Sequence, residues 1–216
     1  MKSVRRRKGL TAVVLAMLPV WICAIVFAVA VSECGDGNRS SAGVPIPRQT
    51  AYSRIVVPDT IYNELQDTPL EFRINTSAVA SRDASHDVAD GSWWYNVGYP
   101  SLGVTMHCTF SNVEGCKLSE AIANRQERMA LNVGDLVAEI TELDNSGGFY
   151  STIVKSNGVT ATPLQFLSTN NKDWLVYGVL YFNDESSIAN PDSVSPIVSA
   201  VNRDIIHALK NLKIKR

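Results

Sequence analysis

The 216-residue chain carries 20 Lys and Arg against 21 Asp and Glu, a formal net charge of −1 at pH 7, with four cysteines. Removing residues 1–34 takes five of the 20 basic and one of the 21 acidic residues and leaves 15 against 20, a charge of −5 on the remainder. That acidic balance gives no general affinity for phosphate backbones and argues against nucleic-acid binding. The length beyond residue 34 suits one domain with a real core.

Lys2, Arg5, Arg6, Arg7 and Lys8 lead into an uncharged apolar run of 22 residues, Leu10 to Val31. As a helix rising ~1.5 Å per residue this run would measure roughly 33 Å, about the thickness of a bilayer's hydrocarbon core. It is long beside the ~7–15-residue core of a removable signal peptide, although a turn-prone segment follows where such peptides are cut. Cys34 stands directly after the run and before a Gly/Ser-rich stretch, Gly35 to Gly43. That placement fits cleavage and acylation at Cys34, with palmitate as the lipid to trace. Glu33 stands where lipoprotein signals usually carry a small residue, which keeps an uncleaved signal anchor as the second reading. Either way the basic start stays cytoplasmic and the C-terminal bulk is exported. The expected division is a signal peptide or anchor over 1–34, a tether over 35–47 closed by Pro45 and Pro47, and a single domain over 48–216. Its expected place is the cell envelope, membrane-anchored with the domain in the periplasm.

Within the domain, Tyr52 to Val57 is β-rich up to Pro58, and Leu70-Glu71-Phe72-Arg73-Ile74 alternates with the period of a half-buried strand. Residues 75–92 lack a large apolar cluster and read as a loop. Trp93 to Val97 and Leu102 to Phe110, around Gly98-Tyr99-Pro100-Ser101, predict a hairpin. Leu118, Ile122, Met129 and Val133 recur at helical intervals, with Arg125, Glu127 and Arg128 on the other side and Gly134 placed to end the helix. Four further strands follow, Leu136 to Leu143, Phe149 to Val154, Thr160 to Thr169 and Trp174 to Phe182. The separators are short and turn-rich, which predicts an antiparallel meander. Pro163 cannot donate to a ladder, so its strand is expected at an edge or with a bulge at its start. A terminal helix is expected with Ser195 as cap, Pro196 in the first turn and Ile197, Val201, Ile205, Leu209 and Leu212 along its buried face. The fold class is α+β, a mainly antiparallel sheet with at least two packed helices.

Residues able to carry chemistry are few. His86-Asp87, His107 and His207 are the histidine positions, and each reads as structural or loop-exposed. No Gly-x-Ser-x-Gly, His-Glu-x-x-His or phosphate-cradling Gly-rich loop occurs, so hydrolysis is unsupported and no cofactor is called for. Cys108 and Cys116 are seven residues apart and offer a disulfide in an oxidising compartment, with two separate thiols as the alternative. Two cysteines without histidines at zinc spacing make no metal site. Among the aromatics, Trp93 and Tyr95 share one face of their strand and Trp94 takes the other. Trp94 or Tyr99 is therefore a candidate contribution to a partner surface, against plain core packing.

The runs Thr160 to Thr169, Val176-Tyr177-Gly178-Val179-Leu180-Tyr181-Phe182-Asn183 and Asn190-Pro191-Asp192-Ser193-Val194-Ser195-Pro196-Ile197 resemble the C-terminal half of the GldD family. These are gliding-motility lipoproteins of Bacteroidetes. Upstream support comes from Pro47-Arg48, Tyr52 to Ile55, Pro58 and the Trp93 to Phe110 hairpin, so the resemblance spans roughly residues 45–213. It implies a non-catalytic envelope lipoprotein that supports gliding motility and the associated secretion machinery, with other envelope proteins as partners. The strand and helix order is also similar to PsbP-like and Mog1-like sandwiches, an analogy of fold alone. Asp59-Thr60-Ile61 and Asp192-Ser193-Val194 are similar to short O-glycan acceptor sites, with Thr60 and Ser193 as acceptors. Two rivals stay open. One is a periplasmic small-ligand-binding module with a pocket near Trp94 or Tyr99, and the other a hydrolase built on His86 or His107.

Overall fold

The computed structural model describes residues 56, 58–83, 91–113, 115–184 and 191–215, all in the second of the two units into which the chain divides, Tyr52–Arg216. Cys34, the tether, the Tyr52 to Ile55 stretch and His86-Asp87 lie outside the described residues. In chain order the strands and helices are β1 (Tyr62–Glu64), β2 (Leu70–Glu71), β3 (Arg73–Asn75), β4 (Val79–Arg82), β5 (Ser92–Tyr99), β6 (Val104–Asn112), α1 (Cys116–Val133), β7 (Val137–Asp144), β8 (Tyr150–Asn157), β9 (Leu164–Thr169), β10 (Trp174–Phe182), α2 (Pro191–Lys210) and β11 (Lys213–Ile214).

Seven strands make one antiparallel sheet in the order β4-β5-β6-β10-β9-β8-β7. The β5–β6 hairpin and the β7-to-β10 meander form as their alternation and short turns predict. The helix α1 carries the chain from β6 at the middle of the sheet to β7 at its far edge, and the meander then returns until β10 pairs with β6 along nine residue pairs.

Strand alternation sorts the sheet into two faces. Phe110, Phe166, Val176 and Leu180 join Val198, Val201, Ile205 and Leu209 of α2, together with Leu70 and Phe72, in the main core. The next residues along, Leu167 and Leu175, meet Leu118, Ala121, Ile122 and Met129 of α1 in a smaller cluster on the opposite side. This unit is thus layered α2, sheet, α1. All six residues of β9 are buried, because that strand lies under a helix on each face. Gly178 marks how tight the main core is: a Cβ there would sit 2.3 Å from the Phe166 ring.

Four expectations are corrected. Residues 75–92 are not all loop, since Val79–Arg82 pairs with β5 as the edge strand; with Val79 exposed and only Ala80 against the core, it has almost no apolar face to announce it. The Leu70 to Ile74 strand is divided: β2 pairs with β11 and β3 with β1, while Phe72 between them points into the core. Strand β9 is interior, not an edge, because Pro163 precedes the ladder and offers only its carbonyl, to the Ser156 N–H at 2.9 Å. The terminal helix begins at Pro191, so Ser195 is not its cap and Pro196 lies exposed inside it. Pro191 fits the first position, where a missing N–H costs nothing.

Candidate partner-binding face

Antiparallel partners share a face, so register lays out the side of the sheet that α1 covers in part. Trp94, Thr109, Tyr177 and Leu167 form one row across β5, β6, β10 and β9. Asn96, His107, Val179 and Gln165 form the next, and Gly98, Thr105 and Tyr181 begin a third. The helix α1 packs on β9 and β10. Its Arg125 guanidinium lies 3.7 Å over the Tyr177 ring and donates to the Tyr177 hydroxyl at 2.5 Å, which closes the helix down on β10.

Beyond Tyr177 the face opens. His107 and Tyr181 are exposed and meet edge to face with centroids 5.3 Å apart, and Trp94 is half-buried in the neighbouring row. Partial burial holds the His107 imidazole below its ordinary pKa, with Asp83 working the other way. Its neutral form presents one donor, one acceptor and an apolar ring edge at pH 7. Aromatic rings with polar tips on a rigid sheet are the material of binding surfaces.

Of the two residues expected at a partner surface, Trp94 lies on this face and Tyr99 does not. Tyr99 is 2% exposed, on the opposite face with Tyr95 and Val97, and belongs to the main core. The Cys108–Cys116 bond is also corrected. Cys108 is a free thiol on the core face, opposite to α1, and four more residues of β6 separate it from the strand's end. The backbone of Cys116 begins α1, and its side chain lies outside the described residues. Thr60 is exposed beside exposed Asp59 and Ile61; Ser193 is placed by its backbone in the first turn of α2, its side chain outside the described residues.

His207 packs against Tyr62 with stacked rings 3.7 Å apart. The Tyr62 hydroxyl donates to Asp204 Oδ1 at 2.9 Å, and Arg203 Nη2 reaches the same oxygen at 3.2 Å and the Pro58 carbonyl at 3.1 Å. Burial, then the hydrogen bond to Asp204, raises the Tyr62 pKa. Asp204 is 2% exposed and its second oxygen has no partner among the described residues. This group ties β1 and the Pro58 segment to α2, and neither His107 nor Cys108 is part of it. Among the described residues no three His, Cys, Asp or Glu side chains gather in a way that could hold a metal ion.

Sequence reading missed Asp204, Arg125 and Gln165. Asp204 sits three residues after Val201, on the apolar stripe of α2, a spacing that marks a buried carboxylate. Arg125 was expected to face out, yet it follows Ile122 by three and precedes Met129 by four, which puts it at the margin of the buried side of α1. Gln165 is fully buried under α1, and β9 gave no signal that it is covered on both faces.

Fold and face together define an α+β domain with one sheet face partly covered by α1. Residues 42–214 match the family described as Gliding motility lipoprotein GldD. The chain belongs to that family and is therefore a membrane-anchored envelope lipoprotein of the gliding-motility class. No curated protein matches it. Among the described residues no helix is long and apolar enough to cross a membrane; the apolar run Leu10 to Val31 lies outside them.

Proposed function

We propose that the chain is a non-catalytic accessory or assembly factor, held at the membrane through acylated Cys34 with its domain in the periplasm. It docks an envelope partner of a gliding or secretion machine on the open part of the α1-side sheet face. The observation that carries this reading is the exposed His107–Tyr181 pair, edge to face on the α1-side face of the sheet, with His107 one row from half-buried Trp94. Acyl chains on Cys34 suit such work, since each buried methylene adds ~0.8 kcal/mol and slows release. Exposed Thr60 is an accessible site for the O-glycan; an intact mass showing lipid alone would remove that part.

Site-specific photo-crosslinking in native cells tests the docking. A crosslinker at Tyr181 is expected to give a discrete protein adduct, and one at Lys210, exposed at the end of α2, none. Equal labelling at both positions, or none at Tyr181, would contradict the reading.

A further inference from the structure

Beside the open face, between α1 and β10, lies a groove of about 540 Å³ lined by Arg125, Glu127, Arg128, Asn132, Gln165 and Tyr181. A volume of that size suits a small ligand, for which pockets of roughly 300–1,000 Å³ are usual. Its charges are unbalanced. Arg125 is half-buried, and burial holds its guanidinium below the ordinary arginine range, with the neighbouring Arg128 adding to that and Tyr177 opposing it. Among the described residues neither arginine has a carboxylate within ion-pair distance; Arg125 bonds to Tyr177 and Arg128 to Asn124. A half-buried cation next to a second one is costly until an anion meets it.

The buried amide beneath is also short of partners. Gln165 accepts from Asn132 Nδ2 at 2.8 Å through Oε1, while its Nε2 reaches only the Met129 carbonyl, at 3.5 Å, although it carries two hydrogens. Two arginines and one glutamate leave the lining at +1, the match of a monoanion and not of a phosphate dianion. We propose that this groove binds a carboxylate-bearing polar ligand. The forks of Arg125 and Arg128 take the carboxylate, which planar guanidinium groups fit in bidentate fashion, and the Gln165 amide donates to the adjoining polar group. The carboxylate has two sources in an envelope, an acidic saccharide or a peptide C-terminus. The inference stands on the groove alone and does not depend on docking at the open face.

Isothermal titration of the full chain in detergent micelles with galacturonate, its methyl ester, N-acetyl-trialanine and N-acetyl-trialanine amide tests it. In one of the two pairs the acid is expected to bind on the order of tenfold tighter than its neutral partner, a single charged hydrogen-bonding contact, and the pair that responds identifies the source. Arg125→Gln is expected to abolish that binding. Arg125 also clamps α1, so the decisive variant is Arg128→Gln, at an exposed side chain that bonds only to Asn124. It is expected to weaken the acid several-fold and leave the unfolding midpoint and the neutral compound untouched. Equal affinity for acid and neutral forms, no binding of either acid at millimolar concentration, or parental affinity in Arg128→Gln would overturn the proposal.

Discussion

Two positions, Gly178 and Asp204, show how narrowly single residues are constrained. At Gly178 the Phe166 ring occupies the space of a Cβ, and both lie in the middle of the core, so neither can yield. Gly178→Ala is expected to lose about 1–3 kcal/mol, the usual cost of overpacking, read as a lower urea midpoint; an unchanged midpoint would show that the ring can move. Asp204 carries two donors on one buried oxygen. Asp204→Ala strands the Tyr62 hydroxyl and is expected to cost about 3 kcal/mol, whereas Asp204→Asn keeps an acceptor and costs less. That ordering, checked by denaturant unfolding, separates the loss of a hydrogen-bonded network from the loss of volume. The spacing of Asp204 on the apolar stripe of its helix carried a signal, although the sequence reading passed over it. The contact of Gly178 with Phe166 carried none, because it depends on the register of β10 against β9.

At the scale of elements, the parts with long, clean periodicity were legible: the hairpin, both helices and the order of the meander. Boundaries failed where the deciding contact is remote. Strand β4 exists because β5 offers an edge, and β2 exists because β11 returns to it after α2. The end of α2 illustrates the same dependence. A carbonyl of its last turn and one just past its end are met by a side chain from the β7–β8 turn: Asn145 Nδ2 donates to the Leu209 carbonyl at 2.6 Å and to the Leu212 carbonyl at 2.9 Å, while Asn145 Oδ1 accepts from the Phe149 N–H at 3.0 Å. Nothing near Asn145 in sequence marks it as the cap of a helix more than sixty residues later. Asn145→Ala is expected to cost about 1–3 kcal/mol by leaving these groups unmet. Faster amide exchange around residues 209–215, with α1 unaffected, is the signature that distinguishes a lost cap from general loosening.

For the whole molecule the titrating groups set a pH window. Burial depresses the folded-state pKa of His107 and of His207, with Arg73 adding to the effect at His207. The stability they contribute is complete above about pH 6.5, their ordinary value, and is lost as pH falls through the lower folded value. Cys108 is the reverse case: burial pushes its thiol from 9.0 up to about 12. Its contribution is complete below about pH 9 and is lost as the pH rises from there to about 12. The urea midpoint is therefore expected to be flat between about pH 6.5 and 9 and to fall on both sides, and Cys108→Ala is expected to soften the alkaline limb. A midpoint that rises steadily across pH 6 to 10 would contradict that burial pattern.

The family, the envelope destination and the α+β class were all legible in the sequence, since they rest on long patterns. The face that carries the proposed docking was legible only through Trp94. Its other members, His107 and Tyr181, become neighbours through the pairing of β6 with β10, across more than sixty residues of chain. Complementation of a strain lacking the chain, with His107 and Tyr181 both changed to alanine, tests this proposal most directly. Normal abundance in the membrane fraction together with lost gliding, or lost delivery of secreted proteins in a host that does not glide, is the expected result. Full restoration by the double variant would contradict docking on this face.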